Sequence, residues 1–215
     1  MEDTYKHKGL RKQLVKKLLE KGIKDVSVLK AIEKVPRHFF FESALETHAY
    51  EDKAFPIDEG QTISQPFTVA FQTELLKIKK GDKVLEVGTG SGYQACILAE
   101  LGAKLYTIEY IRKLYDKSTA MIRSMGYKVD TFCGDGSLGI PKYAPYNKII
   151  VTAGAPIVPD ELLKQLTPGG ILVIPVGDTD SQKMLQITKL ESGKIVEKEF
   201  GYFKFVPLKG KDGWK

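Results

Sequence analysis

Apolar residues recur at two different periods along this chain, and the change of period divides it. In the N-terminal part Leu10, Leu14, Val15, Leu18 and Leu19 return every three to four positions with lysines mostly between them. That spacing predicts an amphipathic helix over residues 8–21, stopped at Gly22. A second short helix is expected from a Ser27 cap through Val35, ended by Pro36. Residues 37–60 read as irregular, with His38, Phe39, Phe40 and Phe41 packing against the main body. Pro66 suits the first turn of a helix whose apolar face includes Phe67, Phe71 and Leu75. From Lys83 short apolar runs alternate with helical stretches. Strands are predicted at 83–87, 104–109, 129–133, 148–152 and 171–176. Helices fall at about 93–101, up to Met125, and at 160–166. Residues 184–190 and 195–202 read as an antiparallel pair turning at Glu191-Ser192-Gly193-Lys194. The expected fold class is α/β: a Rossmann-like doubly wound mixed sheet, mostly parallel, with an antiparallel C-terminal hairpin and an N-terminal helical extension.

Composition narrows this picture only slightly. With 215 residues, 42% of them hydrophobic, the chain can bury a core without disulfide or metal staples, and disorder is excluded. The net charge of +6 lies entirely within residues 1–38, which hold 11 basic and 5 acidic residues. A solvated helix face accounts for it, since no aromatic residues alternate with the basic ones to stack bases. Cys96 and Cys133 are expected as reduced thiols. His7, His38 and His48 lack metal-ligand spacing, so no metal is expected. The absence of a long apolar run or leader pattern predicts a soluble, cytoplasmic protein without a membrane partner.

The strongest chemical signal is V-L-E-V-G-T-G-S-G-Y, Val84 to Tyr93. Glycines there let the chain turn off a strand and bring bare backbone to a ligand. A dinucleotide fingerprint would put Gly or Ala where Tyr93 stands, so a G-x-G-x-G spacing disfavours NAD, and no Walker lysine follows to favour a triphosphate. Glu109, ending the next strand, can accept hydrogen bonds from both ribose hydroxyls of an adenosine. Asp135, at the end of the third strand, can meet the adenine or a ligand amine. Glu86 can orient the loop or attract a cationic ligand. In this order on consecutive strand ends, these residues favour an adenosine ligand, and over about residues 80–177 they resemble the class I S-adenosylmethionine-dependent methyltransferases.

Base methylation is disfavoured, because Ile149 to Pro156 reads I-I-V-T-A-G-A-P with no N/D-P-P-Y/F element. The segment A-F-P-I-D-E-G-Q-T-I-S-Q-P, Ala54 to Pro66, closely resembles the protein-L-isoaspartate O-methyltransferase family. E-V-G-T-G-S-G-Y from Glu86, G-D-G from Gly134, V-T-A-G-A-P from Val151, L-T-P-G-G-I-L-V-I-P-V-G from Leu166 and F-V-P-L from Phe205 continue the resemblance in order. It implies methyl transfer from S-adenosylmethionine, leaving S-adenosylhomocysteine, to the α-carboxylate of L-isoaspartyl residues in damaged proteins. The ester then closes to a succinimide that partly reopens to aspartate.

On this resemblance Ser64 matches the active-site serine, helped by Thr62. The rival role for Ser64, capping the helix that starts near Pro66, stands beside it. Contacts to the methyl donor are expected from Gln61, Thr62, Ile63, Ser64, Gly88, Thr89, Gly90, Ser91, Gly92, Glu109, Asp135 and Gly136. Contacts to the substrate are expected from Thr62, Ser64, Val206 and Leu208. Residues 1–215 are expected to form one domain: a helical and substrate-side segment over 1–60, a donor-binding core over 61–177, and terminal strands and tail over 178–215. The protein is expected to act as a monomer on isoaspartyl proteins without nucleic acid. The alternative is an RNA methyltransferase guided by the basic N-terminal helices.

Overall fold

The computed structural model describes residues 2–214. Helix α1 (Tyr5–Glu20) begins three residues earlier than the apolar spacing suggests. The Thr4 side chain accepts from the His7 N–H, and the His7 ring reaches back to the Thr4 N–H, a capping box closed by histidine. Helix α2 (Val26–Lys34) is capped by Asp25 rather than Ser27. The Asp25 Oδ1 accepts from the amides of Ser27 and Val28, so Ser27 already lies inside the first turn. Residues 37–60 form short 3₁₀ turns and strand β1 (Phe55–Pro56), which pairs with β2 (Thr62–Ile63). His38, Phe40 and Phe41 are buried, as expected.

Helix α3 (Pro66–Leu76) has proline at its start, and the expected Phe67, Phe71 and Leu75 all pack against the core. It is covered nearly all round. Val69, Ala70, Gln72, Thr73 and Leu76 lie deepest, while Phe67 and Phe71 are half-buried and stack on one another, and Phe71 also stacks on Phe203. Gln72 can be that deep because its Nε2 donates to the Val151 carbonyl at 3.0 Å.

The main sheet uses β3 (Lys83–Val87), β4 (Lys104–Glu109), β5 (Asp130–Cys133), β6 (Tyr146–Val151), β7 (Leu166–Gly177), β8 (Gln182–Lys189) and β9 (Ile195–Phe203). Their spatial order is β5-β4-β3-β6-β7-β8-β9. The first five run parallel, and β8 is antiparallel to both neighbours. Order reverses between β4 and β6 around β3, which opens a crevice at the carboxyl ends of these strands. Alternate residues separate the two faces. Val84, Ile150, Val173 and Met184 join the core beneath α1, α2, α3 and helix α4 (Tyr93–Glu100). Leu85, Ile149, Leu172 and Ile187 form the opposite core, under 3₁₀ turns and the short helix α6 (Asp160–Lys164). Helix α5 (Arg112–Ser124) packs beside β4 and β5. Among the described residues no helix is long and apolar enough to cross a membrane.

Candidate functional site

Three strand ends and two loops build the site. Beyond β3 the chain turns through Gly88, Gly90 and Gly92, all with positive φ. At Gly88 (φ +95°) a β-carbon would stand 2.6 Å from the Thr152 Oγ1, so both conformation and space require glycine. Thr152 in turn holds the loop, its hydroxyl donating to the carbonyl of Gly88 at 2.5 Å. At the end of β4 the Glu109 carboxylate accepts from the Gly90 amide (2.8 Å) and the Ile111 amide (2.9 Å). Each oxygen keeps a lone pair for a further donor, such as a ribose hydroxyl.

Glu86 lies fully buried behind the loop. Its Oε2 accepts from the Thr107 hydroxyl at 2.6 Å, and Thr107 meets the Thr89 hydroxyl at 2.7 Å. Burial pushes this carboxyl up to about 8 against the opposing pull of the Thr107 bond, and the Glu109 charge adds to the rise. At neutral pH it is mostly protonated. Of the two roles expected for Glu86, the structure supports orienting the loop through Thr107 and Thr89.

On the other wall, β2 leads directly into Ser64. The rival capping role for Ser64 is not seen: the N-cap of α3 is Gln65, and no side chain of the cap closes the helix. Instead the Phe67 amide, in the first turn, donates to Asp52 Oδ1 at 2.8 Å from another segment. The Ser64 carbonyl accepts from the Nη2 of Arg37 at 2.9 Å. The third wall comes from the C-terminus, where Gly154 pairs with Val206 and Leu208 through two 2.8 Å main-chain bonds.

These elements line a single open cleft at the carboxyl ends of β3 and β4. Of the residues expected at the site, it brings together Gln61, Thr62, Ile63, Ser64, Gly88, Thr89, Gly90, Ser91, Glu109, Gly136, Val206 and Leu208. Gly92 and Asp135 lie outside this lining. Gly92 is the N-cap of α4 and packs against Ile122, where a β-carbon would come within 3.1 Å. The Asp135 carboxylate is occupied by the Ser137 amide (2.9 Å), the Ser137 hydroxyl (2.7 Å) and the Lys211 amide (2.7 Å). It therefore anchors the C-terminal tail. Tyr93 is buried against Phe40 and also borders the cleft.

Thr152, Ala153 and Pro207 line the cleft too and fall within V-T-A-G-A-P and F-V-P-L, whereas Tyr110, Ile111 and Leu114 at the start of α5, with Lys209, carry no motif of their own. Only their positions just after strand ends could have marked them. Histidine spacing also concealed a cluster, because the fold brings one ligand atom each of Asp3, His7 and His38 within 4.8 Å of one another. Arg11 already takes both Asp3 oxygens at 2.7 Å, which places a cation there without a metal.

Comparison with known proteins agrees with this architecture. A family model described as protein-L-isoaspartate(D-aspartate) O-methyltransferase matches residues 9–213. A protein-L-isoaspartate O-methyltransferase of Cytophaga hutchinsonii is 59% identical over 214 residues, covering 100% of this chain and 97% of that protein. One from Dictyoglomus turgidum is 49% identical over 214 residues, covering 99% and 97%. A solved protein-L-isoaspartate O-methyltransferase superposes with a TM-score of 0.84 at 29% identity, over 94% of this chain and 66% of the longer one. A Plasmodium falciparum protein-L-isoaspartate O-methyltransferase, solved with S-adenosyl-L-homocysteine, shares the fold with a TM-score of 0.80 at 24% identity, covering 93% and 98%. With the family model spanning nearly its whole length and close relatives matching end to end, this chain belongs to the protein-L-isoaspartate(D-aspartate) O-methyltransferase family.

Proposed function

We infer that this protein is a repair methyltransferase, moving a methyl group from S-adenosylmethionine to the α-carboxylate of L-isoaspartyl residues in damaged proteins. The observation that carries this reading is the position of Ser64. It lines the donor cleft and also the adjoining groove formed by Ala54, Thr62, Gln65, Phe67, Thr68 and residues 201–205. One hydroxyl thus stands where a small-molecule site opens onto a surface long enough for an extended peptide.

The cleft fits S-adenosylmethionine on its own features. Bare backbone at Gly88 and Gly90 allows close approach, Glu109 offers lone pairs to ribose hydroxyls, and Ile108, Ile111 and Leu114 supply an apolar wall for a base. When bound, that cofactor supplies an electrophilic methyl group. The acceptor carboxylate is ionised at neutral pH, so no strong general base is required. Ser64 and Thr62, as neutral hydroxyl donors, hold the acceptor without removing its negative charge. Opposite charges are dispersed as the reaction proceeds, so alignment and exclusion of water supply most of the acceleration. The same reading gives Val206 and Leu208, already paired to Gly154 at the edge of the cleft, contacts to the substrate.

The reading extends to a single catalytic unit over the whole chain that works as a monomer in the cytoplasm. Unpaired Cys96 and Cys133 support a reducing compartment, and a cleft assembled from one chain supports the monomer. Incubation with labelled S-adenosylmethionine and matched isoaspartyl and aspartyl peptides tests the activity. Base-labile label confined to the isoaspartyl peptide is expected, whereas equal labelling of both, or base-stable label in RNA, refutes it. Ser64→Ala should abolish most turnover while leaving donor affinity unchanged.

A further inference from the structure

Two arginines of this chain are buried, and they are treated differently. Arg11 is neutralised by two hydrogen bonds to Asp3 and a third to Tyr50. Arg37 is 0% exposed, yet its hydrogen bonds go only to main-chain carbonyls: Nε to Ala49 at 3.0 Å and Nη2 to Ser64 at 2.9 Å. The guanidinium lies 4.8 Å from the Tyr93 ring centre and 5.3 Å from that of Phe41. Its Nη1 has no partner, and neither does the Tyr93 hydroxyl, which belongs to a residue lining the cleft. The Asp52 carboxylate acts on Arg37 only through space and is already held by Lys21 and the Phe67 amide, so this buried cation is incompletely compensated, and an apolar side chain of similar length would fill the space at lower cost. The cation is therefore best explained by an anion that arrives from outside.

We propose that Arg37 is a positioning residue for the acceptor carboxylate, fixing Ser64 through its carbonyl and making the wall behind Ser64 electropositive. This rests on the methyltransferase reading above and deepens it. Two effects follow from one guanidinium. The planar fork spans the Ala49 and Ser64 carbonyls at once, which a single lysine ammonium cannot reproduce. Its charge, in a site shielded from water, selects an ionised carboxylate over an uncharged amide or ester, and so also favours release of the neutral methyl ester.

The test uses the full-length protein with Arg37→Met, which removes charge at similar length, and Arg37→Lys, which keeps charge but not the fork. Binding of an isoaspartyl peptide is compared with that of its isoasparaginyl amide by fluorescence anisotropy, alongside kcat, KM and donor affinity. Wild type should prefer the acid by about tenfold or more, and Arg37→Met should bring that ratio close to one with donor affinity unchanged. Arg37→Lys should keep the preference but lose kcat. A folded Arg37→Met with wild-type preference overturns the charge role, and Arg37→Lys with wild-type kcat overturns the positioning of Ser64. If Arg37→Met does not fold, Arg37→Lys decides alone through kcat and the acid-to-amide ratio. Wild type that fails to discriminate isoaspartyl from aspartyl peptides refutes the underlying reading instead, and the two failures are separable.

Discussion

Replacing Glu86 with glutamine should change how stability depends on pH. The carboxyl is buried with one hydroxyl donor, and its folded value is raised from 4.5 to about 8, chiefly by burial. Between those values the unfolded chain is ionised there while the folded chain keeps the proton. The folded state thus binds more protons, and stability falls as pH rises through this window. At about 1.4 kcal/mol per pH unit, a rise from pH 5.5 to 8 removes on the order of 3 kcal/mol, a large share of an ordinary domain's margin. A glutamine at this position still accepts from the Thr107 hydroxyl but does not titrate. Urea unfolding of both proteins at pH 5.5, 7 and 8 measures the effect. The Glu86→Gln protein should gain on wild type as pH increases, by about 3 kcal/mol over the range. A constant difference between the two at every pH would refute the reasoning, because it would mean that Glu86 is ionised in both states.

Other expectations follow from the same contacts. Glu109→Gln places an amide N–H against either the Gly90 or the Ile111 amide, and should weaken S-adenosylhomocysteine binding about 10- to 100-fold by calorimetry. Unchanged affinity would remove Glu109 from the donor site. Asp135→Ala should release the tail that carries Trp214, the single tryptophan, whose indole N–H donates to the Gly154 carbonyl at 3.1 Å. Acrylamide quenching of its fluorescence should rise. Weaker donor binding with unchanged quenching would instead make Asp135 a ligand contact. Gly88→Ala combines a strained φ with a clash against Thr152, and should cost about 1–3 kcal/mol in thermal unfolding. Wild-type stability would show that the loop can be rebuilt around a methyl group.

The parts of the fold readable in one dimension are those whose causes are local. Strands β3 and β4 fall where short apolar runs are bounded by glycine or charge, and the loop at Gly88 is visible because only glycine takes its conformation. The pairing of β8 with β9 is announced by the turn residues between them. Motif order was enough to bring Gln61 to Ser64, Gly88 to Ser91, Glu109, Gly136, Val206 and Leu208 to one cleft.

What remained hidden depends on partners distant along the chain. That Gln65 rather than Ser64 is the N-cap of α3 goes with Asp52, which takes the Phe67 amide from 15 residues away. That Asp135 holds the C-terminal tail depends on the Lys211 amide, 76 residues on. The ionisation of Glu86 and the unpaired state of Arg37 are properties of burial, which no pattern of neighbouring residues reveals. Periodicity and turn chemistry act over a few residues and so are written in the chain. Desolvation and hydrogen-bond competition act through space, and exist only once the sheet, the N-terminal helices and the C-terminal strap have closed around the cleft.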